Sequence, residues 1–318
     1  MNFTQYIWRP ADQAPASSMK SISSIHPWYV TGFADGESSF SVSISASSKY
    51  RTGFLVKLLF DIGLDKRDQA LLEMIQSYFG VGKIYERGEN IIDYRVQSVE
   101  ELKVIINHFD SYPLMTQKWA DYQLFKIAFE TVKCKEHLTT EGINKLLSIK
   151  ASINKGLSEA QKITFSTNVS VERPKLTNQV IPNPHWLVGF VDAEGCFFVS
   201  IRKPKVLMGE AVTLRFQITQ HVRDLSLIRS LENTFGCGRV EISNKSWACY
   251  VVTAFPDILN KIVPFFDQYP MQGVKQKNFD DFNRVVSLVK SKEHLSKLGL
   301  EKIKQIKIGM NKRRNYDN

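Results

Sequence analysis

Trp28-Tyr-Val-Thr-Gly-Phe-Ala-Asp-Gly-Glu37 and Trp186-Leu-Val-Gly-Phe-Val-Asp-Ala-Glu194 are two versions of one segment, and their relation decides the fold. Gly32 and Gly189, Asp35 and Asp192, and Glu37 and Glu194 each lie 157 residues apart. Lys133-Cys-Lys-Glu-His-Leu138 returns as Lys290-Ser-Lys-Glu-His-Leu295 at the same offset. Between these pairs, Phe79-Gly80-Val-Gly82 and Phe235-Gly236-Cys-Gly238 stand 156 apart, a slip of one residue that later recovers. A loop-length difference between two copies produces that pattern, so the chain is a tandem duplication.

Each copy spans about 130 residues, from near His26 to Lys155 and from near Pro184 to Arg313. The expected organisation is a flexible tail over 1–25, a first domain over 26–155, a linker over 156–183 and a second domain over 184–318. The linker stretch is rich in Ser, Thr and Asn and carries Pro174 and Pro182. The tail is polar, Ser-rich and without a counterpart in the second copy. It shows neither an apolar signal-peptide stretch nor an Arg-rich, acid-free transit pattern.

The 318 residues include 42 Lys+Arg against 32 Asp+Glu, a formal net charge of +10. That length fits two domains at roughly 100–200 residues each. A hydrophobic fraction of 43 % supports packed cores, and no apolar run is long enough for a membrane helix. Cys134, Cys196, Cys237 and Cys249 are too few for a disulfide scaffold, and no C-x-x-C pair marks a zinc site. Free thiols in a reducing compartment are expected. The positive charge points to a polyanionic partner, either nucleic acid or an anionic membrane surface.

Strand-type alternation is clear at Ser39-Phe-Ser-Val-Ser-Ile-Ser45, at Asp93-Tyr-Arg-Val-Gln97 and at Leu214-Arg-Phe-Gln-Ile-Thr219. Such strands bury one face and leave the other polar, which suits antiparallel sheets. Helices are expected over Gln69–Phe79, Val99–Phe109 and Gln117–Val132, and over Leu225–Phe235, Phe255–Phe265 and Gln276–Val289. Each copy therefore reads helix, two strands, helix, two strands, then helices: an α+β fold.

The two quoted segments are apolar almost all round and read as buried helices. Gly costs about 1 kcal/mol relative to Ala inside a helix, so a glycine kept in both copies suggests close backbone approach. The natural partner is the other copy's helix; packing within each copy is the alternative. Each helix ends in acids, at the negative end of its dipole, where they are disfavoured. If the helices pair side by side, Glu37 and Glu194 meet, and a shared cation would relieve the repulsion. Oxygen ligands with room for water and phosphate suit Mg²⁺, and Mg²⁺ beside a polar, basic double sheet suits phosphodiester cleavage.

Val30-Thr-Gly-Phe-Ala-Asp-Gly-Glu-Ser38 and Leu187-Val-Gly-Phe-Val-Asp-Ala-Glu-Gly195 resemble the two signature motifs of a LAGLIDADG homing endonuclease. The likeness is to single-chain, intron-encoded members of fungal mitochondria, and it covers roughly residues 26–313. The resemblance implies a tandem pseudo-twofold pair of αββαββα domains whose antiparallel sheets form a saddle over DNA. It implies divalent-metal ligation by Glu37 and Glu194, with the carbonyls of Gly36 and Ala193 as co-ligands. It further implies cleavage of both strands of a long asymmetric duplex site, leaving 3′ overhangs, and Ca²⁺ in place of Mg²⁺ is expected to support binding without cutting. Gln220 and Arg223 match the region that poises water and phosphate; the first copy holds Leu64 and Arg67 there. Ser38 departs from the motif's glycine, and Ser98 and Ala254 stand where some relatives carry a basic residue near the scissile phosphates. Lys118 and Lys275, 157 residues apart, are candidate substitutes.

The expected DNA-facing set on the first sheet is Ser39, Ser41, Ser43, Ser45, Lys49, Lys57, Asp61, Arg95 and Gln97. On the second it is Cys196, Phe198, Ser200, Arg202, Thr213, Arg215, Gln217, Thr219, Arg239, Glu241, Lys245 and Thr253. Arg pairs with guanine, Gln with adenine and carboxylates with cytosine, so this mixture suits base reading. Lys312-Arg313-Arg314 suits phosphate contacts or solubility. His137 and His294 sit in repeated Lys-Glu-His-Leu segments and read as structural, and the Phe-Gly-x-Gly segments read as turns. Two other functions share the fold: an RNA-binding maturase assisting splicing of a group I intron, and a catalytically impaired sequence-specific DNA-binding protein. Intact acids in both copies favour cleavage. Both motifs on one chain imply a monomer, and the resemblance implies a mitochondrial location.

Overall fold

The computed structural model describes residues 25–157, 159, 162, 170–177, 179–202, 210–243 and 246–311. Nearly all of the expected tail, much of the linker, Lys245 and Lys312-Arg313-Arg314 lie outside the described residues. The first half runs α1 (Pro27–Glu37), β1 (Ser38–Ala46), β2 (Phe54–Asp65), α2 (Gln69–Phe79), β3 (Lys83–Glu86) and β4 (Ile91–Val96), then α3 (Val99–Ser111), α4 (Lys118–Lys133) and α5 (Thr140–Ser152). The second repeats it with α6 (Pro184–Glu194), β5 (Gly195–Arg202), β6 (Ala211–His221), α7 (Leu225–Phe235), β7 (Arg239–Ser243) and β8 (Trp247–Val252). A broken helix α8 follows over 255–268, then α9 (Lys275–Lys290) and α10 (Lys297–Ile308). Both sheets are antiparallel, in the orders β1-β2-β4-β3 and β5-β6-β8-β7.

Local chemistry is duplicated along with the architecture. Pro27 and Pro184 open the signature helices, where a missing N–H costs nothing. His26 Nδ1 caps the first at 3.1 Å from Trp28 N, and Asn183 Oδ1 caps the second at 2.9 Å from His185 N. Gly80 and Gly236 end α2 and α7 at φ 67° and 61°, the left-handed region that favours glycine; the Phe-Gly-x-Gly segments are turns, as expected. Ser98, taken from the resemblance as a vacated phosphate position, caps α3 by accepting from Glu101 N at 3.2 Å. Ala254 holds the matching cap position with no side-chain bond.

The uninterrupted helix expected over Phe255–Phe265 is corrected. It consists of Phe255–Asp257, a π turn over Ile258–Ile262, and Val263–Gln268. Pro264 has no N–H to continue the ladder, and the wider turn accommodates that loss.

The inner face of each sheet packs on its own helices. Phe40, Phe60, Tyr94, Phe109, Tyr122 and Phe125 fill the first core; Phe197, Phe216, Tyr250, Phe266, Phe279 and Phe282 fill the second. The outer sheet faces are therefore left to other partners. The halves join through α1 against α6, with the imidazoles of His26 and His185 stacked at 4.1 Å. Of the linker, Val171 N reaches Ser148 O at 3.4 Å and Ser152 Oγ donates to Val171 O at 2.6 Å. Arg173 Nη2 pairs with Asp121 Oδ2 at 2.9 Å, which seats this segment on the first half.

Buried His108 ties α3 to α1. Thr31 Oγ1 donates to Tyr112 O at 3.0 Å, so it must accept from His108 Nε2, also 3.0 Å away. The remaining ring nitrogen, Nδ1, then accepts from Tyr78 OH at 3.0 Å. Burial lowers the His108 pKa to about 3 from 6.5. The unfolded chain therefore takes up this proton first, and the stabilisation present above about pH 6.5 is lost progressively as pH falls towards 3. Between neutral pH and pH 5 the loss should be about 2 kcal/mol. Urea unfolding at the two pH values should show that decrement in the wild type and its near disappearance in His108→Gln; equal pH dependence in both would refute the assignment.

Candidate functional site

The signature helices cross where their side chains vanish. A Cβ on Gly32 would collide with the carbonyl oxygen of Trp186, and one on Gly189 with that of Tyr29. The partner of each glycine is thus the other copy's helix. At the C-terminal ends, a Cβ on Gly36 would overlap Ala193 Cβ and come within 3.1 Å of Glu194 Cγ. The two helices end together, and Glu37 and Glu194 are neighbours.

That neighbourhood shows in their chemistry. Glu37 is exposed at the tip of α1, yet the protein crowding its carboxyl raises its pKa, and the charge of Glu194 raises it further. Burial likewise raises Glu194, opposed by Lys118 and Lys275 and by a 2.7 Å hydrogen bond from Gln220 Nε2 to Glu194 Oε1. The equivalent of Gln220 in the first copy, Leu64, is apolar and buried. The two acids are therefore held differently.

Lys118 and Lys275 come to the centre, with a placement that sequence spacing did not disclose. Lys118 Nζ donates to Ala34 O at 2.8 Å and Gly36 O at 2.9 Å; Lys275 Nζ donates to Val191 O at 3.1 Å and Ala193 O at 2.9 Å. Each ammonium neutralises the negative end of a signature helix, which resolves why acids are tolerated there. Burial pulls the Lys118 pKa down to about 8 and lowers that of Lys275. The Gly36 and Ala193 carbonyls thus accept from lysine, and each keeps a second lone pair.

Arg67 and Arg223 are both exposed. Arg67 folds onto Asp65, with Nε at 2.9 Å, and Arg223 Nε lies 3.5 Å from Asp224 Oδ2. Four aspartates that sequence reading left without a role build the frame. Asp35 accepts from Met115 N, Thr116 N, Thr116 Oγ1 and, across the halves, Trp186 Nε1 at 2.8 Å. Asp192 accepts from Gln272 N, Gly273 N and, across the halves, the hydroxyl of Tyr29. Asp68 and Asp224 bond backbone in the opposite half. The internal repeat carried the signal for all four, since Asp68 and Asp224 also recur at an offset of 156.

Strand register sets the outer faces. Ser39 pairs with Asp61 and Ser43 with Lys57 on the first, with Ser41 and Ser45 between and beyond. Asp61 then pairs with Arg95, and Arg95 with Lys83. Lys49 lies in the β1–β2 turn, and Gln97 just past β4. Lys83 and Tyr85 join this face from β3, a four-residue edge strand too short to show alternation. The second face carries Cys196, Phe198, Ser200 and Arg202 on β5, and Thr213, Arg215, Gln217 and Thr219 on β6. Arg239 and Glu241 lie on β7, with Thr253 just beyond β8. Arg215 Nε donates to Gln217 Oε1 at 2.6 Å, and Glu241 accepts from Arg239 at 2.5 Å and lies 3.3 Å from Arg215. Exposed Phe198 and Trp247 add apolar surface to this face, as exposed Tyr85 does to the first.

A duplicated αββαββα frame with paired signature helices and one acid at the end of each defines a class. The LAGLIDADG endonuclease family model matches residues 30–129 and 187–286. The chain belongs to the LAGLIDADG endonuclease family. It is 37 % identical over 291 residues to the probable intron-encoded endonuclease 3 of Neurospora crassa, covering 90 % of this chain and 55 % of that protein. The chain thus spans little more than half the length of that relative. The I-SmaMI LAGLIDADG homing endonuclease bound to cleaved DNA superposes with a TM-score of 0.89 at 44 % identity, over 91 % of this chain and 98 % of that one. The same protein bound to an uncleaved DNA target in the presence of calcium ions gives a TM-score of 0.88 at 44 % identity, over 90 % and 99 % of the two chains.

Proposed function

We propose that this chain is a site-specific homing endonuclease that hydrolyses both strands of a long, asymmetric DNA duplex in a Mg²⁺-dependent reaction, leaving 3′ overhangs. The observation that carries the reading is the meeting of Glu37 and Glu194, one acid from each half, at the junction of two mixed polar sheet faces. Two pseudo-symmetric acids suit two antiparallel strands. The donor set fits a hard divalent cation: two carboxylates whose pKa values crowding raises, with the Gly36 and Ala193 carbonyls beside them. Two carboxylates and two carbonyls do not fill the shell of a six-coordinate cation, so positions remain for water and substrate phosphate. The cation would supply an activated water and charge neutralisation at the phosphate.

In this reading the chain's residues divide the remaining work. Gln220 orients Glu194. Lys118 Nζ, its pKa pulled down by burial to about 8, can hold or release a proton near that pH, and Lys275, also lowered by burial, holds the matching place in the other half. Arg67 and Arg223, exposed beyond the acids, steady phosphates. The outer-face residues read base edges in the major groove, each good contact giving about 1–3 kcal/mol of discrimination. Kinship with an intron-encoded protein supports a role in intron homing, and the family resemblance supports a mitochondrial location.

The test is selection from a randomised duplex library in Ca²⁺, followed by exchange to Mg²⁺ on the enriched sequence. Enrichment followed by Mg²⁺-dependent double-strand cleavage with 3′ overhangs is expected. Enrichment without cleavage would leave a DNA-binding protein, and no enriched duplex would overturn the reading.

A further inference from the structure

We infer that Asp68 and Asp224 are positioning residues that aim the central lysines across the pseudo-twofold axis, Asp224 setting Lys118 and Asp68 setting Lys275. The inference rests on the proposed nuclease reading for its kinetic consequence, though not for its structural one. Lys118 and Lys275 are the first residues of α4 and α9. A helix start and the turn leading into it leave N–H groups without partners inside the helix, and here carboxylates take those of the turn and the N-cap in sequence. Asp35 takes Met115 N and Thr116 N from its own half, and Asp192 takes Gln272 N and Gly273 N from its own. The next N–H in each series belongs to the residue directly before the lysine, and the other half supplies its acceptor. Gln117 N donates to Asp224 Oδ1 at 2.7 Å, and Val274 N donates to Asp68 Oδ1 at 2.8 Å.

The two cradles are alike in plan and unequal in support. Asp224 is fully buried, and Gln179 Nε2 adds a second bond to Oδ1 at 2.9 Å while Arg223 approaches Oδ2. Asp68 is half-buried. Each lysine reaches back to two carbonyls of its own signature helix, so a small rotation of the helix start withdraws the ammonium from the acid pair. The opposite half's aspartate, bonded to the residue directly before the lysine, opposes such a rotation together with the own-half aspartate. Each lysine then follows the placement of both halves rather than of its own alone.

The test uses the full chain with Asp224→Ala, Asp224→Asn, Asp68→Ala and Asp68→Asn. In metal-free protein, the Lys118 side-chain methylene resonances, assigned through Lys118→Arg, should shift in Asp224→Ala while those of Lys275 stay in place; Asp68→Ala should do the reverse. With each strand of the selected duplex separately labelled, each Ala variant should slow cutting of one strand by about 10–100-fold, the range typical of outer-shell partners. The strand should differ between the two variants. The Asn variants keep a carbonyl oxygen for the N–H and should restore both readouts to near wild type. Equal slowing of both strands, equal movement of both lysines, or no lysine shift would overturn the inference. If buried Asp224→Ala does not fold, the more accessible Asp68→Ala decides the same question. Absence of cleavage by the wild type would defeat the nuclease reading while leaving the lysine resonances to judge this one.

Discussion

Glu37→Gln and Glu194→Gln should each abolish Mg²⁺-dependent double-strand cleavage, with single-turnover rates reduced by about 10³-fold or more, roughly 4 kcal/mol in the barrier. The amide keeps the size of the carboxylate and removes the charge on which both cation binding and activation of water depend. The frame should survive, because the fixed bonds of the signature-helix ends belong to Lys118, Lys275, Asp35 and Asp192. DNA retention in Ca²⁺ should change by no more than a few-fold. The companion effect is electrostatic: removing Glu194 takes away a charge that raises Glu37, so Glu37 should titrate lower in the variant. Strand-resolved cleavage alongside filter binding checks both parts. Cleavage within tenfold of wild type in either variant would remove that acid from the mechanism.

Gly32→Ala and Gly189→Ala should each destabilise the protein by about 3 kcal/mol or more. The sign makes this diagnostic, since Ala in place of Gly inside a helix ordinarily stabilises by about 1 kcal/mol. Here the new methyl meets main-chain atoms of the opposing helix, Trp186 O in one case and Tyr29 O in the other. A carbonyl oxygen inside a hydrogen-bonded helix cannot rotate aside as a flexible side chain can. Relief requires α1 and α6 to separate, which also parts Glu37 from Glu194, so cleavage should fall with stability. Chemical denaturation and cleavage measured on both variants test the pair; unchanged or increased stability would show that the helices do not cross at these glycines.

The repeat made much of this architecture legible before any coordinates. Identical spacing of Gly32/Gly189 and Glu37/Glu194 pointed to two buried helices, paired with each other or packed within each copy, and serine alternation from Ser39 to Ser45 announced a sheet with a polar face. Both edge strands were expected, and Arg239 and Glu241 were placed on the second face, but the outward residues of β3, Lys83 and Tyr85, were not legible, because four residues hold too few alternations to stand out. Nor was the π turn in α8. At the site, the acids stood in the motif, and the shared offset exposed the lysines without their burial or direction. Asp68 and Asp224 gave no chemical hint, since their partners are main-chain N–H groups 206 and 107 residues away. A carboxylate that bonds backbone leaves no complementary side chain for a sequence reader to find.

The crossed bonds between the halves also bear on how such a chain can change with time. The frame positions agree between the two copies: Asp35 with Asp192, Asp68 with Asp224, Lys118 with Lys275 and Glu37 with Glu194. The outward positions on the first strands mostly do not: Ser39, Ser41 and Ser45 stand against Cys196, Phe198 and Arg202, and only Ser43 and Ser200 agree. A substitution in the frame disturbs both copies at once, because each contributes atoms to the other's half of the centre. A substitution on a face touches one copy alone. Duplication therefore left one inheritance under joint constraint and another free to diverge. A hybrid assembled from halves of two relatives should inherit function only when Asp68, Asp224 and the helix starts they hold still match.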